Sequence, residues 1–286
     1  MEASEYVPVP GGMLWTTHQG HGPALVLCHG GPGLWDYLAP VAAMIDDLVS
    51  VYRYDQRACG RSSGSPPYTV DAAVADLEAL RSSWHLPQWI VAGHSFGATL
   101  ALAYATTYPE RVRALLYLCG TGIDASWHEE YHRNQAERLS PQEAEQLADW
   151  EAERACLSGA EFAAVDRAYC ELLWSTDFAH PRQAREFVRS LFIDGIQPNY
   201  EVNALLGKDA DRFAESPTRS ARLAALPVRT LVLHGEADPR PVRVARDIAQ
   251  RLRAAEFVLL PEAGHLPWLE QPDQFQQVLR AFLTRL

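Results

Sequence analysis

Five short runs along the chain are apolar almost without interruption: ALVLC at 24–28, LVSVYRY at 48–54, WIVAG at 89–93, ALLYLC at 114–119 and RTLVLHG at 229–235. Runs of this length, rich in Val, Leu and Ile, suit strands covered on both faces. Between them the spacing turns helical, over VDAAVADLEALRSSW at 70–84, FGATLALAYATTY at 96–108 and VRVARDIAQRLRAA at 242–255. EFVLLPE at 256–262 adds a strand and PDQFQQVLRAFLTRL at 272–286 a closing helix, while YVPVPGGMLWTTH predicts a hairpin turning on Gly11 and Gly12. This alternation predicts an α/β fold, a mainly parallel, doubly wound sheet with right-handed crossovers and its chemistry at the carboxyl ends of the strands.

The alternation stops between residues 122 and 226. That stretch is polar and helix-like, with SPQEAEQLADWEAERA opening on Ser140 as an N-cap and Pro141 at the first helical position. It reads as a helical cap inserted into a core made of residues 1–121 and 227–286. The inserted stretch carries 19 acidic and 11 basic residues, so most of the chain's net charge of -11 lies there. A solvated helical surface is enough to account for such an excess.

GHSFG, Gly93 to Gly97, falls between the strand WIVAG and the helix that begins near Phe96. G-x-S-x-G between strand and helix is a nucleophile elbow, in which small residues permit a strained turn that exposes the Ser95 hydroxyl. A serine hydroxyl needs a base, and the base needs a partner that orients it. HGEADPR puts Asp238 just past the strand RTLVLHG, and EAGHLPW puts His265 just past EFVLLPE. Ser95, Asp238 and His265 are therefore the expected triad, with Asp238 holding the imidazole that shuttles the Ser95 proton. His94 inside the elbow reads as packing, and His234 as a structural residue at the end of its strand.

HGGPG at 29–33 breaks the strand ALVLC abruptly. Acyl transfer develops an oxyanion that backbone N–H groups meet well, and glycines let the main chain approach without side chains in the way. The N–H groups of Gly31 and Phe96 are the candidate oxyanion hole; Pro32 cannot donate, and its fixed φ stiffens the loop.

HGGPG, YDQRACGRS at 54–62, GHSFG, GEADPR at 235–240 and GHLPW at 264–268 together resemble the α/β-hydrolase superfamily, and within it the proline iminopeptidase branch. The resemblance spans both ends of the chain and, weakly, the cap. It implies an α/β-hydrolase fold with a helical cap over a Ser/Asp/His site, no cofactor, and removal of an amino-terminal residue, with cap carboxylates binding the substrate ammonium. Glu171, Asp177, Asp194 and Glu201 are carboxylates available in the cap, Glu171 and Glu201 being the two taken as candidate substrate-binding residues, and Trp35, Trp127 and Trp174 are candidates for the acyl pocket. Two positions depart from the branch: Ala58 stands where it usually has glycine, and Phe96 where the peptidases usually have tryptophan. Relatives with HGGPG also hydrolyse esters, amides or lactones of small metabolites, so that alternative stays open. Asp55, Arg57 and Arg61 of DQRACGRS read as an ion network that anchors loops beside the site.

HEEYH at 128–132 matches H-E-x-x-H, which on a helix can place His128 and His132 on zinc with Glu129 as base and Glu151 or Glu153 as a further ligand. Nothing else in the sequence supports a metal, and none is expected. The net charge argues against nucleic acid and anionic membrane as partners, leaving a small molecule or short peptide as substrate. No apolar run approaches the roughly 18 residues of a membrane span. Without a basic, then apolar, amino terminus the expected location is cytoplasmic. Five cysteines without a CxxC pair suggest neither a disulfide framework nor a zinc ribbon. A receptor built on a hydrolase fold is the non-enzyme alternative, and the intact triad argues against it.

Overall fold

The computed structural model describes residues 3–286. Eight strands form one sheet: β1 Ala3–Val9, β2 Gly12–Gly20, β3 Ala24–Cys28, β4 Ser50–Tyr54, β5 Trp89–His94, β6 Val112–Leu118, β7 Arg229–Gly235 and β8 Ala255–Leu260. Their order is β1-β2-β4-β3-β5-β6-β7-β8. The hairpin β1–β2 turns through Gly11, whose φ of 82° favours glycine, and β2 joins β4 antiparallel. Every later pairing, from β4–β3 to β7–β8, is parallel.

The continuous apolar runs are buried on both faces, as a parallel sheet between helices requires. Val26, Val91, Leu115 and Val232 point into one core with the helices Val70–Ser83 and Phe96–Thr107. Their neighbours Leu25, Leu27, Ile90, Leu116 and Leu231 point into the other, where Phe275, Leu279 and Phe282 of the helix Pro272–Leu283 meet them. Burial of each such side chain contributes roughly 1.5–3 kcal/mol, so the sheet is the rigid element on which the site is built.

The chain winds from β3 outward to β4, then back past β3 to β5. The carboxyl ends of β3 and β5 therefore diverge at the switch point where ligands bind in open α/β sheets. HGGPG and GHSFG follow these two strands.

Between β6 and β7 the chain forms six helices, His128–Ala136, Pro141–Arg154, Gly159–Ser175, Arg185–Leu191, Tyr200–Asp211 and Pro217–Ala225. Ser140 caps the second, as its sequence predicts, and does so in a reciprocal capping box with Glu143. One predicted helix is shorter than its pattern: the run from 242 stops at Arg251, because Leu252 turns to extended backbone so that the chain can enter β8 at Ala255. No helix among the described residues is long and apolar enough to cross a membrane.

Candidate active site

Ser95 stands at the end of β5 with φ 58° and ψ -125°. A non-glycine residue rarely holds this conformation, and it persists only where its surroundings enforce it. They do so here. A Cβ at Gly93 would collide with Gly97 O, and one at Gly97 with Cys28 O, so both glycines of GHSFG are required for the strand and helix to meet at this angle. Ser95 N–H donates to Leu118 O at 3.0 Å and fixes the turn to β6. The residue after it, Phe96, begins the helix, and its N–H is one of those a helix leaves without an internal partner.

Asp238 and His265 lie past the carboxyl ends of β7 and β8. His265 Nδ1–H donates to Asp238 Oδ2 at 2.6 Å, with Asp238 fully enclosed, which leaves Nε2 as the basic nitrogen. The other carboxylate oxygen accepts Arg240 N–H at 2.9 Å and lies 3.4 Å from Arg240 Nη1. Burial alone would raise the Asp238 carboxyl, but His265, His234 and Arg240 beside it outweigh burial and hold it below the usual carboxylate range. It stays ionised and able to stabilise an imidazolium.

The HGGPG loop is pinned residue by residue. The His29 ring accepts Gln56 N–H at Nε2 (3.0 Å), so Nδ1 carries the proton and donates it to Gly30 O at 2.9 Å. Gly30 N–H donates to Tyr37 Oη at 2.9 Å. A Cβ at Gly30 would come within 2.8 Å of Ser95 Cβ and 2.5 Å of Tyr37 Oη, so only glycine fits against Ser95. Gly31 has φ 123°, and its N–H has no acceptor among the described residues.

Tyr37 and His94 extend this chain. His94 Nε2–H donates to His265 O at 2.8 Å, which makes Nδ1 the acceptor of the Tyr37 hydroxyl at 2.7 Å. A directed series thus runs from Gly30 N–H through Tyr37 and His94 to the backbone of His265. Burial, with His265 adjacent, pushes the His94 pKa well below its ordinary value and keeps the ring neutral. His94 packs as its place in the elbow predicts, yet it also bonds at both nitrogens. His234 is buried, with Nε2–H donating to Arg240 O at 3.0 Å.

The helical insertion docks on these loops. Asn199 N–H donates to Gly33 O, Asn203 Nδ2 to Pro32 O and Asn199 Nδ2 to Ala58 O, each at 2.8 Å. His265 N–H donates to Asp177 O at 2.7 Å, and the Asp177 carboxylate meets Arg240 at 2.7 Å. Arg240 also lies 4.5 Å over the Tyr131 ring. Two adjoining cavities open between insertion and sheet. The inner, ≈ 170 Å³, is walled by Ser95, His265, Gly31, Tyr37, Trp35, Trp174, Asp177 and Arg240 among others. The outer, ≈ 590 Å³, shares Ser95, Gly31, Trp174 and Arg240 and adds Phe96 and Trp127.

All three predicted triad residues, both oxyanion candidates and all three tryptophans therefore border these cavities or, for Asp238, stand directly behind His265. Glu171 and Glu201 do not: Glu171 is bound by Arg167 and Arg189 outside the cavity wall, and Glu201 is exposed on its helix. Asp194 is likewise exposed. Asp177 alone of the named carboxylates faces the inner cavity, and it is bound to Arg240. Tyr37 and Arg240 carry structural roles that no motif marks. Arg240 lies in GEADPR and bonds Asp238 there, but Asp177 and Tyr131 reach it from the distant insertion.

DQRACGRS divides its ions differently from the single network expected. Asp55 accepts Arg61 Nε at 2.6 Å and Asp36 N–H at 2.7 Å, while Arg57 pairs instead with Asp76 of the helix Val70–Ser83. Ala58 has φ 55°, a left-handed conformation that suits the glycine usual at this position in the branch it resembles. His128 and His132 of HEEYH both border the outer cavity, with His128 bound to Asp211 at 2.9 Å. The groups of potential metal ligands that converge among the described residues lie around Asp238 and His265 and include neither. All five cysteines are free thiols.

Residues 25–278 match the alpha/beta hydrolase family. A proline iminopeptidase of Saccharolobus solfataricus is 26% identical over 275 residues, covering 92% of this chain and 85% of that one. Among solved structures, a proline iminopeptidase of Mycobacterium smegmatis superposes with a TM-score of 0.71 at 21% identity, covering 99% of this chain and 98% of its own. A thermophilic esterase of Thermogutta terrifontis superposes with a TM-score of 0.73 at 23% identity, covering 100% and 98%. With nearly its whole length matched, the chain belongs to the α/β hydrolase family, in a branch that resembles the proline iminopeptidases.

Proposed function

We propose that the chain is a serine hydrolase that cleaves a small acyl substrate through an acyl-enzyme on Ser95. The observation that carries this reading is the enclosed 2.6 Å bond between His265 Nδ1 and Asp238, with His265 facing the same cavity as a serine held on a strained elbow. His265 Nε2 takes the Ser95 proton as Oγ attacks the acyl carbonyl, and the N–H groups of Gly31 and Phe96 receive the oxyanion. His265 then protonates the departing group. Water, deprotonated by the same nitrogen, attacks the ester of Ser95, and the acid product leaves with Ser95 re-protonated. The helices of the 122–226 insertion act as a cap: Trp35, Trp174 and Trp127 give the cavity apolar walls for the acyl group.

Aminopeptidase activity is the second reading, supported by the similarity to proline iminopeptidases. Within the inner cavity its ammonium would be met by Asp177, which Arg240 already neutralises in part. An ester, amide or lactone of a neutral acyl group needs no such carboxylate. Cleavage of a prolyl arylamide and of a short-chain aryl ester, by wild type and Ser95→Ala, tests both readings. Serine-dependent ester cleavage supports the hydrolase, and serine-dependent arylamide cleavage adds the peptidase. Activity unchanged in Ser95→Ala refutes the mechanism.

A further inference from the structure

At the end of the outer cavity formed by the insertion, Arg154 closes the helix Pro141–Arg154 and lies over two aromatic rings, 4.2 Å from Tyr169 and 4.9 Å from Tyr200. Its Nη1 stands 3.2 Å from Asp166 Oδ1, an oxygen that also accepts the Tyr200 hydroxyl at 2.6 Å. That contact lacks hydrogen-bond alignment, so Nη1 is buried without an acceptor, and neither Nε nor Nη2 donates to any described residue. Buried guanidinium N–H groups are seldom left so in native structures. The chain's single lysine, Lys208, borders the same cavity and has no ion pair or hydrogen bond with a described residue. The carboxylates flanking it are committed elsewhere, Asp209 to Val70 N–H at 2.8 Å and Asp211 to His128. In a chain of net charge -11, the wall of a cavity that reaches Ser95 thus carries Arg154, Lys208 and Arg240 with the carboxylate Asp211. Arg154 is backed by Asp166 and Arg240 by Asp177 and Asp238, which leaves Lys208 and the outer edge of Arg154 facing the cavity.

We infer that the outer cavity binds an oxoanionic group, a carboxylate or phosphate, at the end of the substrate remote from the scissile bond, with Arg154 as its main ligand and Lys208 assisting. The inference rests on the serine-hydrolase reading for what is cleaved, and on Arg154 for what is recognised. A guanidinium stacked on aromatic rings keeps its in-plane N–H edge free for the two oxygens of such a group.

The test compares 4-nitrophenyl monoesters of aliphatic dicarboxylic acids of increasing length with the corresponding methyl 4-nitrophenyl diesters, and measures calorimetric binding of adipate and of inorganic phosphate. Wild type should favour the acid-ended ester of the fitting length by about 10- to 100-fold in kcat/KM, carried by KM, the scale of hydrogen bonds to a charged group. Arg154→Gln should abolish that preference while keeping kcat on the methyl diester; Arg154→Lys should restore part of it; and Lys208→Gln, at an exposed position, should weaken it in a folded protein. The tighter of adipate and phosphate identifies the oxoanion. Equal use of acid and neutral esters at every length, or a preference and anion binding unchanged in both Arg154→Gln and Lys208→Gln, overturns the inference. A protein that cleaves none of these esters yet binds adipate or phosphate through Arg154 refutes the hydrolase reading instead.

Discussion

Replacing Tyr37 by Phe removes one oxygen and two hydrogen bonds, the 2.9 Å bond from Gly30 N–H and the 2.7 Å bond to His94 Nδ1. Gly30 N–H and His94 Nδ1 have no other hydrogen-bond partner among the described residues. Stranding a buried polar group costs about 1–3 kcal/mol, and two groups are stranded here. Tyr37 borders the inner cavity, so a water can enter where the hydroxyl was, and the lower end of the combined cost, about 2 kcal/mol, is expected. That corresponds to a fall in Tm of about 4–8 °C for a chain of this size. On the proposed mechanism the catalytic effect follows from contact: with Gly30 directly against Ser95, slack in the loop would displace Gly31 from the oxyanion. Loss of a whole oxyanion donor costs about 10²–10³ in kcat, so a misplaced one should cost about tenfold or somewhat more, with KM little changed. Thermal unfolding and steady-state ester hydrolysis read the two effects. Tyr37→Phe with wild-type Tm and wild-type kcat would show that the series of bonds holds nothing; a lowered Tm with full kcat would confine Tyr37 to stability.

Three further outcomes are expected. Gly30→Ala should abolish turnover while circular dichroism shows a folded chain, since the added methyl meets Ser95 Cβ at 2.8 Å; appreciable activity would place the loop elsewhere during catalysis. Asp238→Asn should lower kcat by about 10⁴-fold, the scale of removing the partner that fixes the histidine tautomer, and a loss under tenfold would remove Asp238 from the triad. Stability should fall as the solution is acidified below about pH 6.5, because the unfolded chain takes up protons that buried, neutral His29, His94 and His234 resist through desolvation, each contributing up to about 1.4 kcal/mol per pH unit. Urea midpoints at pH 7.5 and 5.5 measure it; equal midpoints would mean that these rings charge freely in the folded protein.

The fold of the core and the placing of the candidate site were legible because their signals are local. β3, β5 and β7 announce themselves as apolar runs, and each ends in a motif whose glycines the backbone demands, Gly30 against Ser95 and Gly97 against Cys28. The insertion was legible as helices but not as a binding surface. Glu171 and Glu201 have the right chemistry in the right segment, yet helical phase turns them away from the cavity, and phase against the core is set by packing that one sequence does not display. Arg154 was hidden for the same reason: its stacking partners Tyr169 and Tyr200 come from two other helices. Arg57 pairs with Asp76, nineteen residues away on a helix, rather than with a residue of its own motif.

On the proposed mechanism, the bonds that Asn199, Asn203 and Asp177 make would give the insertion a part in the chemistry as well as in recognition. Gly33 O and Pro32 O accept hydrogen bonds from it and His265 N–H donates to it, so the HGGPG loop and the histidine loop are each tethered to the insertion rather than to the sheet alone. An insertion hinged to open as one piece would draw both loops from Ser95 at the same moment. With the tethers intact, a substrate would reach Ser95 through gaps between these helices. Exchanging this insertion for that of a relative is not an exchange of specificity alone: unless the newcomer carries equivalents of Asn199, Asn203 and Asp177, the graft arrives with an intact Ser95, Asp238 and His265 and no fixed geometry between them.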